Sequence, residues 1–300
     1  MHKLAPIVLF TYKRLDTLKQ TIESLQKNYL AKESELIIFS DCNKNNFDKL
    51  EVQNVRTYLK LIDGFKSVTV HESPINKGLA NSIIVGVTMV FETYDKVIVL
   101  EDDLVTSPNF LDFMNESLEM FKNDSSVFSI SGFSFNLNLE NKLKTDAYFL
   151  NRGWSWGWAT WKNRWADLDW EVLNYKDFKR DKKAQKEFSK GGSDLNRMLA
   201  KQISGKLDSW AIRWFYNQFK RKGLTLYPVY SKIKNEGFGK NATHTGGSSK
   251  RYIPQFDEKA NVNFNYPTQI ELTTIAQKRF NQKMGIIARI KSKIETILGL

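Results

Sequence analysis

Three carboxylates follow one another at Glu101, Asp102 and Asp103, directly after the apolar run 96–100 (KVIVL). Carboxylates this crowded repel one another unless a cation lies between them. Hard oxygen ligands suit Mg²⁺ or Mn²⁺, ions that keep several waters and also bind substrate phosphates. In an extended segment side chains alternate, so Glu101 and Asp103 are expected on one side and Asp102 on the other. The plain alternative is a solvated acidic turn, and the buried-looking strand just upstream argues against it.

Other residues could serve the same chemistry. Thr11 and Arg14 close a first apolar strand, where a hydroxyl can hydrogen-bond and a guanidinium can pair with phosphate; an ordinary helix start would look similar. Asp41 ends the run ELIIFS and could read a base or ribose edge, or cap the next turn. Lys77 precedes Gly78 in NKGLANS, where a helix N-terminus offers an anion site or an ordinary cap. Asp208 precedes an aromatic helix and could act as general base or as its N-cap. Trp154, Trp156 and Trp158 in NRGWSWGWATW could stack on sugars or form a small core. His244, in GFGKNATHTGGSS, could reach a metal or diphosphate if the loop closes, or simply be solvated.

The elements that must position these residues alternate along the first half. Strands are expected at 7–11, 35–40, 68–72, 96–100 and 127–131, with helices at 15–28, 47–62, 78–93 and 109–122 between them. Such alternation indicates β-α-β units and a mostly parallel central sheet flanked by helices, an α/β fold. Ligands of such sheets bind at the carboxyl ends of strands, which selects residues 11–14, 40–43 and 101–103. Beyond residue 148 the alternation stops, with a helix expected over 209–221 and a strand over 224–230. One domain is expected over 1–265, its halves at 1–147 (nucleotide and metal) and 148–265 (acceptor). Residues 266–300 are expected to form a basic amphipathic C-terminal helix. From Arg279 onward, Phe280, Met284, Ile287, Ile290, Ile294 and Ile297 recur at helical spacing, with Lys283, Arg289, Lys291 and Lys293 between them. That helix either docks on the body or lies on an anionic membrane.

The net charge of this 300-residue chain is +12, but it is unevenly placed. Residues 1–175 carry 19 basic and 23 acidic side chains, and residues 176–300 carry 26 and 10. All eight tryptophans lie between Trp154 and Trp214, ahead of most of the basic block. Nucleic-acid recognition usually interleaves aromatics with cations on one face, so no nucleic-acid partner is expected. The single cysteine, Cys42, excludes an internal disulfide framework. A short N-terminal apolar run reads as a strand rather than a signal or span. The expected location is cytoplasmic, or peripheral on the inner face of the plasma membrane. There is no His/Cys cluster for zinc, and neither a Ser-His-Asp arrangement nor a G-x-x-x-x-G-K-[ST] phosphate loop is present.

Taken in order, six segments resemble the GT-A nucleotide-sugar glycosyltransferases, in particular the N-acetylglucosaminyltransferase I type and its bacterial relatives. They are YKR at 12–14 after the first strand, SDC at 40–42, EDDL at 101–104 with Pro108 and Phe110, GWSWGW at 153–158, Asp208 ahead of Trp210, and GFGKNATHTG at 237–246. The resemblance implies a GT-A, Rossmann-like fold and an inverting, metal-dependent transfer from a nucleoside-diphosphate sugar, UDP-linked, to a saccharide or lipid-linked acceptor in bacterial surface-glycan synthesis. It implies that Asp103 binds Mn²⁺ (or Mg²⁺), with His244 as a further candidate ligand. Glu101 and Asp102 would lie near the ribose and donor sugar, Arg14 and Asp41 would hold the nucleotide, and Asp208 would deprotonate the acceptor. The chain has Leu-Asp-Ser-Trp at 207–210 where the animal members carry a Trp and a second Asp. Two other readings are a sugar nucleotidyltransferase, which usually has a Gly-rich basic loop that LFTYKRLDT lacks, and a non-catalytic carbohydrate-binding protein.

Overall fold

The computed structural model describes residues 3–237 and 249–298. Its first part alternates β1 (Ile7–Thr11), α1 (Leu15–Gln26), β2 (Glu35–Ser40), α2 (Lys49–Leu59), β3 (Ser67–Glu72), α3 (Gly78–Val90) and β4 (Lys96–Glu101). There follow β5 (Leu104–Thr106), α4 (Phe110–Met120), β6 (Val127–Ser131), β7 (Ala147–Leu150) and β8 (Trp158–Trp161). The remainder holds α5 (Lys162–Trp165), α6 (Tyr175–Arg180), α7 (Lys182–Ser189), α8 (Leu195–Ile203), α9 (Trp210–Lys220), β9 (Leu224–Pro228), β10 (Ile233–Asn235), α10 (Thr274–Met284) and α11 (Ile286–Leu298).

Eight strands form one sheet in the order β3-β2-β1-β4-β8-β6-β9-β7, and β5 pairs with β10 in a separate ribbon. The β3-β2-β1-β4 half is wholly parallel. Beyond β4 the sheet is mixed, because β8 runs antiparallel to both β4 and β6 and β7 antiparallel to β9. Strands such as β1 and β4 are apolar at nearly every position because both sheet faces are covered. Leu9, Ile98 and Leu100 face the layer made by Leu18 and Ile22 of α1 and Phe113 of α4. Val8, Phe10, Val97 and Val99 face Ile83 and Val87 of α3 and Trp214 of α9.

The expected single C-terminal helix is two helices. α10 ends at Gly285, whose extended backbone (ψ 172°) breaks the helical path. Ala276, Phe280 and Met284 of α10 join the same core as Leu9 and Leu100. The packed body therefore runs past residue 265, and only α11 stands beyond it. Among the described residues, no helix is long and apolar enough to cross a membrane.

Candidate active site

β1 and β4 lie side by side in parallel register with Phe10 opposite Glu101, so their carboxyl ends open at the same edge. There Asp102, 3% exposed, accepts hydrogen bonds from Thr11 Oγ1 (2.9 Å) and the Tyr12 amide (3.1 Å). The Arg14 guanidinium donates from Nη2 to Asp102 Oδ1 at 2.6 Å and to Asp103 Oδ2 at 2.8 Å. Alternation had placed Asp102 and Asp103 on opposite sides. The chain turns immediately after Glu101, so both carboxylates converge on one cation. Thr11 orients Asp102 and does not face an open site.

The negative charge here is only partly compensated. Burial, reinforced by the Asp103 and Asp102 charges, pushes the Glu101 carboxyl up to about 8. Burial also raises Asp103, against the pull of Arg14. Burial alone would lower Arg14, but Asp102 and Asp103 outweigh it and hold the guanidinium firmly charged. Among the described residues, Glu101 has no side-chain hydrogen bond and Asp103 has Arg14 and its own backbone amide.

Backbone contacts fix Asp103 from the other side. β10 pairs antiparallel with β5, Asn235 opposite Leu104, and the Glu236 amide donates to the Asp103 carbonyl at 2.9 Å. Gly237 then passes so close that a Cβ on it would sit 2.1 Å from Asp103 Oδ2. Only a glycine lets the chain pass that carboxylate. His244 lies outside the described residues.

Asp41 is engaged within the protein at the end of β2. Its carboxylate accepts from the amides of Cys42 (2.9 Å), Lys77 (2.9 Å) and Gly78 (2.9 Å) and from Asn76 Nδ2 (3.2 Å). Both oxygens are occupied by the approach to α3, and Asp41 itself is buried. The same contact corrects the expectation of an anion site at this helix: an internal carboxylate already sits on its first amides. Lys77 is exposed beside them. Asp41→Ala is expected to lower the unfolding free energy by about 2–4 kcal/mol, since it leaves several buried donors unpaired. Lys77→Ala should change it by no more than about 0.5 kcal/mol, and urea titration of both variants separates the two roles.

Gly78 joins this cap to Asp208. Its φ of +72° lies in the left-handed region, and a Cβ there would sit 3.8 Å from Asp208 Oδ2. Asp208 is not the N-cap of α9: Ser209 takes that place, its side chain accepting from the Ile212 amide. Asp208 is thus an exposed carboxylate (side chain 66% accessible) rather than one in an aromatic pocket, with Arg213 Nη2 3.8 Å from Oδ1. Arg213 is held in turn by the carbonyls of Ser209 (3.3 Å) and Trp170 (3.4 Å). Since the Asp41 amide donates to the Thr11 carbonyl at 3.0 Å, hydrogen bonds run from Asp103 through Arg14, Asp102, Thr11 and Asp41 to Gly78, which lies near Asp208.

The tryptophan segment is mostly core. Trp158 is 1% exposed, packed between Trp165, Trp210 and Trp214, and offers no face to a sugar. It is the first residue of β8, and alternation turns it toward α9 and Ala159 the other way. Trp154 is nearly as buried, edge-on to Phe135 and Trp156. Trp156 is the half-buried member of the three and packs near Tyr252.

Sequence reasoning missed three supporting residues. Asp48 accepts from Tyr12 Oη (2.8 Å) and Lys13 Nζ (2.6 Å), fixing the YKR segment; burial and Asp48 together push the Tyr12 hydroxyl up to about 12. Asn76 ties Asp41 to the Cys42 carbonyl. Arg213 faces Asp208. Asp48 is 36 residues from Tyr12 and carries no local signal. Arg213 follows Asp208 by five residues, and Asp208 lies ahead of α9, so the i,i+3 and i,i+4 spacing of helical ion pairs did not point to it.

The chain is 23% identical over 299 aligned positions to the alpha-1,3-mannosyl-glycoprotein 2-beta-N-acetylglucosaminyltransferase of Arabidopsis thaliana. That alignment covers 91% of this chain and 66% of the plant protein, so the chain spans just under two thirds of that relative's length. Among solved structures, it is similar to S. aureus TarS 1-349 (TM-score 0.42, 10% identity, 77% of this chain and 60% of that one). It is also similar to the mannosyltransferase PcManGT from Pyrobaculum calidifontis, solved with GDP-Man and Mn2+ (TM-score 0.38, 10% identity, 54% and 46% covered). A family model described as GNT-I matches residues 1–200, two thirds of the sequence and every strand of the parallel half-sheet, and the chain belongs to the GNT-I family.

Proposed function

We propose that the protein is a glycosyltransferase that moves a hexosyl or N-acetylhexosaminyl unit, with inversion, from a UDP-linked donor to a saccharide or lipid-linked acceptor, in the assembly of a bacterial surface glycan. Family membership supports the reaction class. The observation that carries the mechanism is Asp208: an exposed carboxylate, relieved of capping by Ser209 and lying near Gly78, whose amide is held by Asp41 at the strand ends that carry the Arg14–Asp102–Asp103 group.

Inversion requires a base on the acceptor side and charge neutralisation on the leaving diphosphate. Asp208 takes the proton of the acceptor hydroxyl as its oxygen bonds to the anomeric carbon. The bond from that carbon to the diphosphate oxygen breaks, and the electron pair leaves with the nucleoside diphosphate. Arg14, whose Nη2 alone is occupied by the two aspartates, keeps guanidinium N–H groups for a phosphate oxygen.

The carboxylates also fit a divalent cation. Among the described residues no three-ligand cluster exists, which suits an ion held by one or two carboxylates and completed by substrate phosphates. Asp103 and Glu101 would hold it, since burial raises their proton affinity and few protein donors relieve them. When bound, Mn²⁺ or Mg²⁺ supplies Lewis-acid stabilisation of the leaving diphosphate.

Thermal unfolding with a panel of nucleotide sugars, with and without Mn²⁺, tests the reading. One UDP-sugar should raise the midpoint with Mn²⁺ and much less without it. Absence of any shift, together with absence of nucleoside-diphosphate release, would refute it. Release of pyrophosphate would instead identify a nucleotidyltransferase.

A further inference from the structure

We propose that α11 is an interfacial helix that seats the protein on an anionic lipid surface. The proposal does not depend on the reaction above. Two halves of one sequence pattern have opposite fates: Phe280 and Met284 of α10 are core, whereas four isoleucines of α11 face solvent. Ile286, Ile287, Ile290 and Ile294 are 65%, 84%, 55% and 50% exposed. At 100° per residue these four fall within one stripe about 100° wide.

What holds α11 is polar and lies at its base. Arg289 pairs with Asp194 at 2.7 Å and donates from Nε to the Met284 carbonyl at 2.9 Å. Asp194 is in turn gripped by buried Arg152 through two hydrogen bonds of 2.8 and 3.0 Å. These cations hold the Asp194 carboxyl well below the usual range despite its burial. Arg289 is thus turned inward as an anchor, and the apolar stripe is left without an intramolecular partner among the described residues.

Charge around the stripe identifies the occupant. Lys291 is exposed on α11 itself. Two bonds tie α10 to the segment that follows α7: Gln277 Nε2, in the first turn of α10, donates to the Lys190 carbonyl (3.1 Å), and Ser193 Oγ donates to the Met284 carbonyl at its end (3.3 Å). α7 presents Lys182, Lys183 and Lys186 to solvent. An apolar stripe on the strongly basic second half of the chain (26 basic and 10 acidic side chains over 176–300) matches the boundary of an anionic bilayer, where acyl chains meet negative headgroups. A second copy of the chain would bring the same cations against each other, which disfavours a self-complementary contact.

Co-sedimentation of the full chain with phosphatidylcholine vesicles, with and without phosphatidylglycerol, tests this. Binding to the anionic vesicles should exceed binding to neutral ones by about tenfold and weaken with salt. The double substitution Ile287→Asp, Ile290→Asp should reduce it by about tenfold or more with an unchanged unfolding midpoint. Lys182→Glu with Lys183→Glu should weaken it without touching the apolar face. Failure of the wild type to bind anionic vesicles would overturn the proposal, as would unchanged binding of the isoleucine variant. So would a solution dimer that this variant dissociates, which would make a second copy the occupant.

Discussion

Asp208→Asn is expected to lower kcat by about a thousandfold, near 4 kcal/mol of transition-state stabilisation, with donor affinity changed by less than about twofold. The amide has the shape of the carboxylate but cannot accept the acceptor's proton at neutral pH. Three features of the site keep the effect confined to chemistry. Ser209, not Asp208, caps α9. The Asp208 side chain is two thirds exposed, so its substitution opens no cavity, and its ion-pair partner Arg213 keeps the carbonyls of Ser209 and Trp170. The Arg14, Asp102 and Asp103 contacts do not include it. An uncapped helix or a collapsed pocket would lower the unfolding midpoint along with activity, whereas loss of a base leaves the midpoint in place. Steady-state release of nucleoside diphosphate, read beside nucleotide affinity and thermal unfolding, distinguishes these cases. Activity within threefold of wild type would remove Asp208 from the mechanism.

The inner strands of the parallel half-sheet were legible because they are buried on both faces. IVLFT, ELIIFS and KVIVLE read as near-continuous apolar runs, with helical patterns between them. The far half was not legible. β8 is four residues hidden in a tryptophan-rich run, and its antiparallel insertion between β4 and β6 is a non-local pairing that no local period encodes. The ribbon of β5 and β10 has three residues in each strand, too few for alternation to show. The chain break at Gly285 was visible as a residue but not as a boundary, because the apolar spacing continues across it.

The site divides the same way. Positions were readable from the rule that chemistry gathers at strand ends, and Thr11, Arg14, Asp41, Asp102 and Asp103 do converge there. Orientations were not. Asp41 faces α3 because Lys77 and Gly78 return to it some 36 residues later. Asp102 and Asp103 share Arg14 because the chain turns at that point, which the letters EDDL do not reveal. Trp158 faces inward because it lies on a strand, where a tryptophan in a loop could have faced a sugar.

Asp103→Asn should give a protein that is at least as stable as wild type and strongly impaired. Burial raises the Asp103 carboxyl even with Arg14 beside it, so its ionised form opposes folding above the ordinary carboxylate range. A neutral amide of the same shape removes that opposition. The same substitution removes one of the two carboxylates with capacity left for a cation, and turnover should fall by about a hundredfold or more. The rise in unfolding midpoint that Mn²⁺ and a nucleoside diphosphate produce together should disappear, which reads metal binding independently of activity. Gly237→Ala perturbs the same carboxylate without deleting it. The new Cβ would need the position of Asp103 Oδ2, only 2.1 Å away, so the carboxylate must swing aside while its charge persists. Its metal requirement should rise by about tenfold, with much of kcat regained at saturating metal, whereas Asp103→Asn should regain little at any concentration. Stability lost in step with activity in both variants would make Asp103 a structural residue, and the separation expected here follows from a buried carboxylate whose ionised form its surroundings disfavour.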